Sequence, residues 1–70
     1  MSTHKIDKRF GTVAIQKGFI AVDQLLEVLK IQLAEELEVG YSRVTGEILF
    51  EKGYISTNQI DEVLMSMCIL

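Results

Sequence analysis

Apolar residues at Ile6, Phe10, Val13 and Ala14 fall on a helical spacing that runs to Lys17. Gly18 then supplies a residue able to take positive φ, and Lys17 suits a helix C-terminus. Phe19 and Ile20 follow as an inward-facing pair, and a second helix is predicted from about Val22 to Leu37. Along it Leu25, Leu29, Leu33 and Leu37 form one face at every fourth position, widened by Leu26, Val28 and Ile31. Ala21 is a poor N-cap, although Asp23 and Glu27 complement the helix dipole. Gly40 is the expected stop, in the one true loop, Val39-Gly40-Tyr41-Ser42.

The pattern then restarts. At an offset of 35 (Gly46 against Gly11), the matches are Gly11/Gly46, Lys17/Lys52, Gly18/Gly53 and Ile20/Ile55. They continue through Gln24/Gln59, Glu27/Glu62, Val28/Val63 and Leu29/Leu64. A period of this size marks a repeated supersecondary unit that buries its apolar face against its twin. A third helix is expected from about Val44 to Lys52, ended by Gly53 as Gly18 ends the first. Ser56 and Gln59 then form a capping box for a fourth helix, which carries Ile60, Val63, Leu64 and Met67 inward. The expected fold is all-α: four short helices in two helix-turn-helix repeats, about 6–37 and 43–70, after a frayed start over 1–5. Gly18, Gly53 and Ser56 are its structural turns.

With 49% apolar residues and a net charge of −3, the chain is globular rather than disordered. Seventy residues bury only about 60% of the surface of the unfolded chain, so one small domain of modest stability is expected. The acidic balance and scattered basic residues argue against nucleic acid. Cys68 is the single cysteine, which excludes an internal disulfide. No apolar run reaches membrane-spanning length and the N-terminus lacks a hydrophobic signal core, so a cytoplasmic setting is expected, with no membrane partner.

Catalytic chemistry is not assembled by these residues. His4 has no second ligand at metal spacing, and Cys68 lacks the basic neighbours that would activate it. Ser56 and Thr57 have no general base, and Glu35, Glu36 and Glu38 form a solvated charge run. No enzyme, metal or cofactor is expected.

Arg9, Gly11, Gly18, Leu25, Leu29 and Gln32 fall on a spacing that resembles the N-terminal domain of type II secretion and type IV pilus assembly ATPases. The family includes a cyclic di-GMP-binding version. Its motif runs arginine, leucine, glycine, then a leucine, a glycine, two leucines and a glutamine, and occurs twice. The resemblance covers roughly residues 9 to 67. Phe10 and Ala14 depart from leucine in the first copy. Gly46, Leu49, Gly53, Ile60 and Leu64 fit the second, where Val44 stands for the arginine and Met67 for the glutamine. The resemblance implies a non-catalytic domain, since the chain has no phosphate-binding Gly-rich loop. It also implies candidate ligand-binding residues: Arg9, Gly11, Gln32, and Arg43 as a substitute one position early. A two-fold dinucleotide asks for an equivalent clamp at each end, and valine can neither fork onto phosphate nor stack as arginine does.

The expected function is therefore a protein-protein interaction module, taking a protein partner or forming a weak homodimer. A cyclic di-GMP sensor is the alternative. The candidate interface is Met65, Met67, Ile69 and Leu70, an apolar run in the fourth helix. Its basis is an imbalance: Lys30, Gln32 and Glu35, all able to face water, have Met65, Met67 and Leu70 as repeat mates.

Overall fold

The computed structural model describes residues 2–67, with side chains from residue 8 onward. Among the described residues the fold is all-α, with no strand: α1 (Ser2–Gln16), α2 (Val22–Val39), α3 (Thr45–Glu51) and α4 (Thr57–Met67). α1 begins at Ser2 rather than after a frayed start. No glycine or proline interrupts residues 2–10, and each residue added to an existing helix gains a hydrogen bond. α2 runs two residues past Leu37, up to the glycine that stops it.

The two glycine stops are the same device used twice. Gly18 and Gly53 both sit at φ 79°. The Gly18 and Phe19 amides donate to the Ile15 and Ala14 carbonyls, both at 2.9 Å. The Gly53 and Tyr54 amides donate to the Phe50 and Leu49 carbonyls at 3.0 and 2.9 Å. This is the Schellman pattern, in which two orphan carbonyls are satisfied and the next residue turns back onto the helix. It points Ile20 and Ile55 into the core, where both are buried.

α1 packs against α3 and α4, while α2 packs mainly on α3. The first helices of the two repeats thus meet at the centre, and each receives the other repeat's second helix. The core is correspondingly paired. Ala14 and Leu49, Ile20 and Ile55, and Val28 and Val63 are buried repeat mates. Phe10 and Thr45 break the symmetry. Phe10 lies over Gly46, where an added Cβ would come 3.1 Å from its Cζ. Thr45 is a buried polar residue at the corresponding place, and its hydroxyl accepts from the Gln32 amide at 3.2 Å.

The leucine face of α2 is not the core face. Val28 is the fully buried residue of this helix, whereas Leu26 is 49%, Leu33 58% and Leu37 79% exposed. Leu25 and Ile31 pack against the core, but Val22 and Leu29 join the exposed set. At 3.6 residues per turn, Val22, Leu26, Leu29, Leu33 and Leu37 share about 80° of helix surface, centred about 140° from Val28. α3 covers the Val28 side, and the outer arc is left to solvent.

Candidate functional site

Two polar clusters hold the repeats together, and one of them takes in two of the expected ligand-binding residues. In the loop before α3, Arg43 donates from its backbone amide to Glu35 Oε1 at 2.9 Å. Its Nε donates to Glu35 Oε2 at 2.9 Å, and a second guanidinium nitrogen lies 2.8 Å from the same oxygen. The remaining arm pairs with Glu51 on α3. Gln32 closes the cluster by donating to the Arg43 carbonyl at 3.0 Å. The Arg43 backbone and then its side chain hold the Glu35 carboxyl below the usual carboxylate range. Glu35 first, and then Glu51, push the Arg43 guanidinium further up.

These contacts show what the candidate residues do within the fold. Arg43 is not displayed as a substitute clamp, because a forked carboxylate and a second carboxylate already occupy its donors. Gln32 and Glu35 do not face water; they are half-buried and anchor the 41–44 segment from α2. Gly11 lies within the packing as well. It is buried beneath Leu25, whose Cδ1 would lie 2.6 Å from an added Cβ, so the glycine makes room on α1 for this side chain of α2. Arg9 stands exposed on α1.

The second cluster joins Lys52 to Glu27 at 2.8 Å, and the Tyr54 hydroxyl donates to the same carboxylate at 2.8 Å. Lys52, followed by Tyr54, lowers the Glu27 pKa, and Glu27 raises those of Lys52 and Tyr54. The Ser56 box forms as expected: Gln59 donates from its backbone to Ser56 Oγ at 3.2 Å, and the Ser56 amide donates back to Gln59 Oε1 at 3.0 Å. Ala21 has no side-chain acceptor, yet its amide still donates to Gln24 Oε1 at 2.8 Å. The first copy thus keeps half of the box.

Of the expected interface residues, Met65 is 70% exposed, while Met67 packs against the core, on the inward side that its helical spacing predicts. Ile69 and Leu70 lie outside the described residues, as do Cys68 and the side chain of His4. The imbalance between the second and fourth helices runs mainly the other way. Val22 and Leu26 are exposed apolar residues on α2, and their mates on α4 are Thr57 and Asp61. Those polar mates are the signal in the sequence that could have found the α2 face. If a repeat position accepts threonine or aspartate in one copy, the fold itself does not need it apolar.

The candidate site is accordingly the outer face of α2, with Asp23 and Lys30 exposed beside it. No helix is long and apolar enough to cross a membrane among the described residues. No protein-family model matches the chain, and no curated protein or solved structure matches it.

Proposed function

We propose that the chain is a non-catalytic protein-protein interaction module, resembling the secretion ATPase N-terminal domain, that engages its partner through the outer face of α2. The observation that carries this reading is the exposed ladder of Val22, Leu26, Leu29, Leu33 and Leu37. An apolar stripe of this extent on a small monomer is an unfavourable surface in water and a favourable one once covered. The polar mates of Val22 and Leu26, Thr57 and Asp61 on α4, support the same reading, since the helix packing is met at those two positions without an apolar residue. The cyclic di-GMP reading has weaker support, because the Arg43 guanidinium is committed to Glu35 and Glu51.

A photoreactive residue placed at position 26, and separately at its mate position 61, tests the module reading in the source cells. Discrete cross-linked adducts from position 26 and none from position 61 are expected. Absence of adducts from position 26, or equal labelling from both, contradicts it.

A further inference from the structure

We infer that the partner of the α2 outer face is a second copy of this chain, docked α2 against α2 in antiparallel sense about a two-fold axis. The inference rests on the interaction-module reading and names its partner.

Spacing is the first argument. Val22, Leu26, Leu29 and Leu33 alternate steps of four and three, the seam that packs knobs into the holes of a facing helix. Rotation about an axis passing between Leu26 and Leu29 exchanges Val22 with Leu33 and Leu26 with Leu29, laying this ladder onto itself. A face that is its own complement under a two-fold is what an isologous dimer requires.

Area is the second. The five ladder residues expose on the order of 500 Å² per copy, so pairing them buries at most about 1,000 Å² in total, the lower bound of a specific interface. That predicts a weak, concentration-dependent dimer rather than an obligate one.

Charge sets the direction. α2 has no basic residue in its last turn, where Glu36 and Glu38 stand against the negative end of its own dipole. Parallel pairing would gather the acidic ends of both copies. Antiparallel pairing keeps those two ends apart and sets each beside the N-terminal dipole of the partner's α2, which Asp23 offsets only in part.

Sedimentation equilibrium of the whole chain from about 10 μM to 1 mM, the range of weak association, tests this. The wild type is expected to approach twice the monomer mass at the upper end. The double variant Leu26→Lys/Leu33→Glu should stay monomeric with unchanged helical content. Wild type that remains monomeric throughout overturns the self-pairing, as does a double variant that still dimerises. If the double variant fails to fold, dilution of the wild type followed by amide NMR decides. Shifts confined to 22–37 support the inference, and shifts centred on α4 or absent altogether overturn it. A monomeric wild type with cross-linked adducts of heterologous mass from position 26 would remove the self-pairing alone. Loss of both results removes the module reading as well.

Discussion

Lys52 Nζ lies 2.8 Å from Glu27 Oε2, and their repeat mates Lys17 and Glu62 approach to 4.0 Å. Each pair joins the glycine stop of one repeat to the second helix of the other. Two of the identities that reveal the repeat, Lys17/Lys52 and Glu27/Glu62, are thus contacts between the copies. The closer pair has the Tyr54 hydroxyl on its carboxylate, where the mate of Tyr54 is Phe19 and has none to offer. Such exposed pairs contribute little each, and salt screens them.

Their pH dependence follows from the shifts. Glu27 and Glu35 are lowered in the folded chain, so the stability they contribute is present above the ordinary carboxylate range. It is lost as pH falls through their depressed folded values. Lys52 and Tyr54 are raised, so theirs is present below their ordinary values and lost as pH rises through the folded ones. Urea midpoints should therefore plateau near neutrality and fall below about pH 4. Glu27→Gln should lower the neutral plateau and shrink the acid loss. An identical acid limb in the variant would show that Glu27 has no linked role.

The glycine stops make a matched pair of predictions. Nothing lies within 4 Å of a Cβ added at Gly18 or Gly53, so substitution there carries only the backbone cost of positive φ. Gly18→Val and Gly53→Val should each destabilise by more than about 1 kcal/mol, and by similar amounts. Unchanged melting in both would contradict the helix ends assigned here.

Completing the first capping box should do the reverse. Ala21→Ser gives the Gln24 amide a side-chain acceptor and is expected to stabilise by about 0.5–1 kcal/mol. Ser56→Ala should cost about as much. Chemical denaturation of the two single variants measures both effects, and equal midpoints across the set would show the boxes to be silent.

Cyclic di-GMP should bind no tighter than about 10 μM, because the Arg43 guanidinium would have to leave two carboxylates to meet a phosphate. Calorimetric titration measures this directly. Sub-micromolar affinity abolished by Arg9→Ala would promote the sensor reading.

What could be read in advance was what neighbouring residues decide. Gly18 and Gly53 announce their stops because only glycine suits that φ, and Ser56 with Gln59 announces a cap because the bonds span three residues. The repeat offset foretold the pairing of Ile20 with Ile55 and Val28 with Val63. The exposure of Leu33 and Leu37 was not legible, since every-fourth spacing defines a stripe but not the helix that covers it. Arg43 was read as a displayed cation for a similar reason: Glu35 and Glu51 are each eight residues away in sequence and meet it only through the packing of α2 and α3.

The α2 ladder belongs to the surface of the folded monomer. The urea midpoint of Leu33→Gln, measured against Val28→Ala at low micromolar concentration, tests this most directly. Leu33→Gln should stay within about 0.5 kcal/mol of wild type, as a surface substitution does. Val28→Ala should cost about 2 kcal/mol or more through lost burial and a residual cavity. A Leu33→Gln loss as large as that of Val28→Ala would place the ladder in the core and contradict the account.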